Sequence, residues 1–150
     1  MDYALLCAQV RSFAEADGWY VPLMANAAAL IWENMRDLNW AGFYVMREGR
    51  LVLGPFQGKT ACIHIPVGKG VCGAAVARDA TQRVANVHDF PGHIACDSAS
   101  NSEIVVPLRV NGKVVGVLDL DSPWPGRFTE EDQTGLETVG EILSQMLTRC

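Results

Sequence analysis

The sequence predicts an α+β protein whose helices pack on one face of a central, mainly antiparallel sheet. Helical patterns open and close the chain, and strand patterns joined by short turns lie between them. Hydrophobic residues make up 49% and charged residues 19% of the 150 residues, which is enough apolar material for a packed core. The other face of the sheet is then free to form a ligand pocket covered by loops.

Two helices are predicted at the start of the chain and one at its end. Residues 3–16 form the first helix, which an Asp-Gly pair ends, and residues 22–36 form the second, with Pro22 near its start. The last helix follows a Pro-rich bend, with Thr129 as its N-cap and Asp132 three residues on as a capping-box partner.

The middle of the chain reads as short strands with one short helix, at residues 71–78. Asn111-Gly112 forms the turn of the clearest hairpin, since this pair favours tight turns. A connection over residues 88–102 shows little regular pattern, and loops of this length within a compact domain are usually functional. The predicted strands are residues 40–46, 50–55, 61–65, 83–87, 103–110 and 113–121.

Alternation along the first strand places Trp40, Gly42 and Tyr44 on one face. A glycine between two aromatic residues can leave a hollow with aromatic walls, suited to a small ligand. The alternative is that Gly42 marks a β-bulge and that the two aromatic residues only fill the core.

Alternation along the last strand places Asp119 and Asp121 on one face, and Glu103 begins the partner strand. If the three carboxylates share a pocket, repulsion and partial burial raise at least one pKa. Such a cluster can bind a substrate ammonium group and supply a proton. The alternative is that the acids simply reach solvent at a strand end.

Composition narrows the function classes. The net charge of −5 and the lack of a Lys/Arg cluster argue against nucleic-acid binding. No apolar run reaches the roughly 18 residues that a membrane-spanning helix needs. The N-terminus lacks the pattern of a secretory signal, so we expect the protein in the cytosol, where thiols stay reduced. The oligomeric state is left open, a homodimer included.

Five cysteines in such a protein indicate redox catalysis, metal binding or packing. Cys72 opens a predicted helix, and a helix N-terminus lowers a thiol pKa, so position alone favours Cys72 as the reactive thiol. Cys96 lies in the long connection and Cys62 on a short strand. Cys7 is expected to pack in a helix, and Cys150 is the last residue.

A zinc site is a further alternative, although the usual CxxC pairs are lacking. Its ligands would come from Cys62, His64, Cys72, His93 and Cys96.

Three segments resemble the signature blocks of the free methionine-(R)-sulfoxide reductases, which are single GAF-domain proteins. They are GPFQGKTACIHIPVGKGVCG, DFPGHIACDSASNSEIVVPL and GVLDLDSP. The resemblance implies one GAF domain over residues 1–150. It implies the thiol-dependent reduction of free L-methionine (R)-S-oxide, with thioredoxin as the reductant and with no cofactor or metal.

The resemblance also implies a role for each site residue. Cys96 would be the nucleophile that becomes a sulfenic acid, Cys62 the resolving thiol and Cys72 a third redox-active or auxiliary thiol, against the ranking from position. The substrate site would be lined by Trp40, Tyr44, Glu103, Asp119 and Asp121, with Glu103 or Asp121 as acid catalyst. Two alternatives are a GAF sensor of small molecules, which should carry an output domain, and a redox switch without turnover.

Overall fold

The protein is described by a computed structural model over residues 1–94 and 98–147. Within these residues the helices are α1 (Tyr3–Ala16), α2 (Tyr20–Asn34), α3 (Gly70–Arg78) and α4 (Glu130–Met146). The strands are β1 (Trp40–Arg47), β2 (Arg50–Gly58), β3 (His64–Pro66), β4 (Gln82–Val84), β5 (Ser102–Val110) and β6 (Lys113–Ser122). No helix in these ranges is long and apolar enough to cross a membrane.

The strands form one antiparallel sheet in the order β3-β2-β1-β6-β5-β4. Two tight turns set its hairpins. Glu48-Gly49 and Asn111-Gly112 have positive φ at both positions, as a two-residue hairpin turn of the favoured twist requires. The predicted antiparallel sheet and α+β class are therefore confirmed.

Each face of the sheet covers its own apolar core. On the first face, α1, α2 and α4 pack against alternate residues of β1 and β6, including Phe43 and Leu118. On the second face, α3 and the neighbouring loops pack against Trp40, Tyr44 and Val117. The expectation of helices on one face is confirmed for three helices, while the short α3 lies on the opposite face.

Strict alternation along β6 would place Val115 on the face of Val117, Asp119 and Asp121, and it fails at this residue. Val115 packs with the helix-side core and not beside Val117. The register with β5 shifts at this point, because Leu108 pairs with Gly116 and Arg109 with Val114. Such an irregularity turns one side chain to the other face.

Several predicted boundaries are shifted. Helix α2 begins at Tyr20, so Pro22 lies in its first turn, and the capping box of Thr129 and Asp132 is present at α4. Strand β3 is displaced towards the C-terminus, because only residues 64–66 pair with β2. Strand β4 ends at residue 84, and Val87, predicted as the last residue of that strand, instead begins a 3-10 turn over residues 87–89 that extends into the predicted connection.

Candidate functional site

The sheet register brings the acidic residues to one place. Trp40 on β1 lies opposite Asp121 on β6, which in turn lies opposite Glu103 on β5. In the next row Asp119 lies opposite Gly42. Because residues two apart share a face of a strand, Asp119 and Asp121 lie on the same face. The expectation that Glu103 reaches the same end of the sheet is confirmed.

Two of these carboxyl groups are buried. Glu103 is 7% exposed and Asp119 is 5% exposed. Burial raises the pKa of Glu103 well above its usual range, and the charges of Asp119 and Asp121 raise it further. Burial also raises the pKa of Asp119, although hydrogen bonds from Glu103 and Cys72 oppose this rise. For Glu103 and Asp119, the alternative that the acids reach solvent is therefore wrong.

The two oxygens of Asp119 have different surroundings. Cys72 Sγ donates a hydrogen bond to Asp119 Oδ2 at 3.3 Å. No N–H or O–H donor among the described residues reaches Oδ1, although this atom is buried. A buried carboxylate oxygen without a donor is costly, so this atom requires a proton, such as one shared with Glu103, or a bound cation.

Cys72 lies in the first turn of α3, as predicted, but its pKa is shifted in the opposite direction from the prediction. Burial raises the pKa of the Cys72 thiol, and the charges of Asp119 and Glu103 raise it further. These effects outweigh the helix N-terminus, because the charges lie against the sulfur in a dry environment. The predicted lowering of the Cys72 pKa is therefore wrong, and the argument from position that favoured Cys72 as the reactive thiol loses its basis.

Two aromatic residues of β1 connect the sheet to residues 59–62, the segment that follows β2. Trp40 Nε1 donates to the carbonyl oxygen of Lys59 at 3.1 Å, and Tyr44 Oη donates to that of Cys62 at 2.9 Å. The two rings stack with their centroids 5.9 Å apart. Trp40 and Tyr44 thus fix the backbone of residues 59–62 over the acidic side chains.

Gly42 does not leave a hollow. A Cβ atom there would overlap Phe56 Cβ and would lie 2.9 Å from Trp40 Cη2. The register with β2 also shifts between Gly42 and Tyr44, but the additional residue lies in β2, between Leu53 and Phe56. Strand β1 pairs with β6 without a shift at this point, so Gly42 is not itself the bulged residue. The glycine is needed because Phe56 occupies the space beside it, while Trp40 and Tyr44 still line a cavity.

This cavity lies between the sheet, α3 and the loops. Both predicted aromatic residues and all three predicted acids line it, together with Cys72. Other residues that line the cavity were not predicted as part of a substrate site from the sequence. Those with a polar side chain are Thr60, Lys69, His93 and Ser100, and the apolar residues include Ala61, Ile65, Val71 and Ile94.

A signal for some of these residues was present in the sequence. Lys69 lies in the GKG turn before α3, and His93 and Ser100 lie in the long connection expected to be functional. Burial lowers the pKa of His93, and its neighbour His88 contributes to the same shift. A neutral imidazole and an exposed lysine therefore stand at the cavity wall.

The cysteines fall into distinct environments. Cys62 is half-buried and takes part in a disulfide, whereas Cys7 and Cys72 are free buried thiols. Cys7 packs in the helix-side core, as predicted. Cys96 and Cys150 lie outside the described residues.

The zinc ligand set considered above is not assembled by the described residues. No three of Cys62, His64, Cys72 and His93 converge there. The fifth member, Cys96, lies outside the described residues.

Comparison with known proteins assigns the chain to a family. A GAF-domain family model matches residues 23–148. The chain is 52% identical over 145 residues to the free methionine-R-sulfoxide reductase of Escherichia coli, covering 97% of this chain and 88% of that protein. The enzyme of the same name from Saccharomyces cerevisiae is 46% identical over 130 residues, covering 81% and 72%.

A solved structure agrees with these sequence matches. The X-ray structure of free methionine-R-sulfoxide reductase from Neisseria meningitidis in complex with its substrate has a TM-score of 0.92 and 42% identity, covering 96% of this chain and 87% of that one. The chain therefore has the GAF fold and belongs to the free methionine-R-sulfoxide reductase family.

Proposed function

We propose that this protein, as one GAF domain over residues 1–150, reduces free L-methionine (R)-S-oxide to L-methionine. The observation that carries the proposal is the acidic cluster of Glu103, Asp119 and Asp121, in which Glu103 and Asp119 are buried and which shares a cavity with Trp40 and Tyr44. The family supports the reaction, since its members include reductases of free methionine-R-sulfoxide and one structure with bound substrate.

The cavity suits a small zwitterion better than a peptide. Asp119 and Asp121 would bind the substrate ammonium group, which the unpaired Asp119 Oδ1 favours. A methionine sulfoxide residue inside a peptide has no ammonium group to offer these carboxylates. Trp40 and Tyr44 would hold the S-methyl end, because their stacked rings form an apolar wall.

The acid would come from the same cluster. The sulfoxide sulfur becomes electrophilic when its oxygen is protonated or strongly hydrogen-bonded. Glu103 is the best candidate for the donor, because burial and the neighbouring charges raise its pKa and so favour the protonated carboxyl group. Asp121 pairs with Glu103 across the sheet and is the second candidate.

Two thiols would carry out the reduction, Cys96 as the nucleophile and Cys62 as the resolving thiol. The Cys96 thiolate attacks the sulfoxide sulfur, the protonated oxygen passes to the cysteine, and methionine leaves while Cys96 becomes a sulfenic acid. The Cys62 thiol then attacks that sulfur, which forms a disulfide and releases water. The sequence motif supports Cys96 as the nucleophile, and His93, Ile94 and Ser100, which flank it in the sequence, line the cavity.

Recycling would require a dithiol protein, for which we propose thioredoxin. It would supply two electrons and two protons to the disulfide and become oxidised itself. Cys62 is half-buried and already disulfide-bonded, which supports its role as the resolving thiol. Because thioredoxin recycling needs a reducing compartment, the proposal assigns the protein to the cytosol.

The test is incubation of the purified protein with each separated epimer of free methionine sulfoxide and with dithiothreitol, followed by amino-acid analysis. We expect turnover of the R epimer, almost none of the S epimer and poor turnover of a blocked sulfoxide peptide. Equal turnover of both epimers, or faster turnover of the peptide, contradicts the proposal. Binding of the R epimer without turnover would favour a sensor.

Replacement of the resolving thiol separates chemistry from recycling. Cys62→Ala should still release about one methionine per chain in a single turnover, because Cys96 alone suffices to form the sulfenic acid. Thioredoxin-driven turnover should slow in this variant. Mass spectrometry of the wild type, first reduced, freed of reductant and then treated with substrate alone, should show a Cys62–Cys96 disulfide that the untreated reduced protein lacks. A Cys72–Cys96 disulfide would instead make Cys72 the resolving thiol.

A further inference from the structure

One group of potential metal ligands converges among the described residues. Cys72 Sγ and a carboxylate oxygen from each of Glu103 and Asp119 all lie within 4.8 Å of one another, and all three residues are buried. A thiolate with two carboxylates is a donor set that suits zinc, for which sulfur and oxygen ligands are both common.

The spacing of these atoms is close to what zinc requires. Tetrahedral zinc with typical Zn–S and Zn–O bonds holds its sulfur and oxygen ligands about 3.6 Å apart. Cys72 Sγ and Asp119 Oδ2 are already 3.3 Å apart. The carboxylate of Glu103, within 4.8 Å of the other two ligand atoms, would complete the set by approaching by about 1.5 Å at most, which rotation of a glutamate side chain can supply.

The surroundings of the cluster favour a cation. Asp119 Oδ1 is buried without an N–H or O–H donor among the described residues. The ion pairs within the described part of the chain involve Arg83, Arg109 and Arg127, and no such pair includes Glu103 or Asp119. The buried carboxylates therefore have no arginine or lysine partner there, and a divalent ion would neutralise them.

We propose that the protein binds one Zn²⁺ ion through Cys72 Sγ, Glu103 and Asp119, with the remaining coordination position open to the cavity. The site differs from the zinc set considered from the sequence, with which it shares only Cys72. Asp119 is also the residue proposed to bind the substrate ammonium group. We therefore expect zinc and substrate to exclude each other. This expectation rests on the proposed function, whereas the proposal that the protein binds zinc does not.

Zinc binding should release protons. A thiolate and carboxylates are the forms that bind a metal, so any proton that Cys72 or Glu103 holds in the free site leaves when zinc binds. Zinc affinity should consequently fall as the pH is lowered. Calorimetry in buffers of different ionisation enthalpy measures the number of protons released.

The test is a Zn²⁺ titration of the full-length protein by calorimetry, with Cd²⁺ as a second probe whose bond to a thiolate absorbs in the ultraviolet. The protein is prepared with Cys62 in its disulfide and with Cys150→Ser, so that Cys7 and Cys72 are the free thiols of the described residues. We expect one ion per chain. Cys72→Ser should weaken zinc binding by about tenfold or more and remove the cadmium–thiolate absorption.

Matched variants distinguish the outcomes. Cys7→Ser replaces the other free buried thiol and should bind zinc as the wild type does, whereas Glu103→Gln should weaken binding. Circular dichroism checks that each variant is folded. The proposal is overturned if neither Cys72→Ser nor Glu103→Gln changes the zinc affinity. It is also overturned if Cys7→Ser loses the cadmium–thiolate absorption.

Addition of free methionine sulfoxide separates the two proposals. Competition between Zn²⁺ and the R epimer supports both. Zinc binding that the sulfoxide does not affect leaves the metal site standing and contradicts the proposed substrate position.

Discussion

Glu103→Gln is expected to slow the reduction step by about 10²–10⁴-fold, the usual contribution of a general acid. The amide keeps the shape of the side chain and a hydrogen-bond donor but cannot give up a proton to the sulfoxide oxygen. Single-turnover kinetics with the R epimer measure this step directly. Glu141→Gln, on the exposed face of α4, is the matched control and should behave as the wild type.

The pH dependence gives an independent readout of the same residue. The proton on Glu103 is retained up to its raised pKa, so the reduction rate of the wild type should fall as the pH rises through that value. Glu103→Gln should lack this decrease. Asp121→Asn should also slow the step if Asp121 shares the proton, while Asp119→Asn should mainly weaken binding. Near-normal reduction rates in all three amide variants would limit the cluster to binding.

Glu103→Gln should raise the stability of the protein although it lowers the activity. Glu103 has a higher pKa in the folded protein than in the unfolded chain, where it lies near 4.5. As the pH rises above that value, the unfolded chain releases its proton first, so the folded state loses stability up to the folded pKa. At neutral pH, Glu103→Gln should therefore melt at a higher temperature than the wild type, and this difference should shrink as the pH falls towards 4.5.

Cys96→Ser should abolish reduction even in a single turnover, because no other thiol of the chain is proposed to attack the sulfoxide. The measurement is the amount of methionine released per chain without added reductant. Cys7→Ala is the control, since Cys7 packs in the core on the other face of the sheet and should retain the full yield.

A matched variant tests the rival nucleophile. Cys72→Ser should retain about one methionine per chain, since the raised pKa of Cys72 keeps it as a thiol and the thiolate is the nucleophilic form. A full yield in Cys96→Ser together with a loss in Cys72→Ser would assign the attack to Cys72.

The sequence by itself determined the elements of this protein and the faces of its central strands. Alternation placed Trp40 and Tyr44 together, and Asp119 with Asp121, because side chains two apart on a strand point the same way. The Asn111-Gly112 turn predicted the hairpin that brings Glu103 to the acids. The family resemblance identified the reductase family, which no periodicity could have done.

Only the tertiary structure decided how these side chains affect one another. Sequence position predicted a lowered pKa for Cys72, since a helix N-terminus is a local feature. The carboxylates that reverse this prediction come from β5 and β6, more than 30 residues away in the chain. The space at Gly42 was likewise decided by Phe56 on β2, and the face of Val115 by a shift of register. Burial, strand register and contacts between distant segments exist only once the chain has folded, so no local pattern records them.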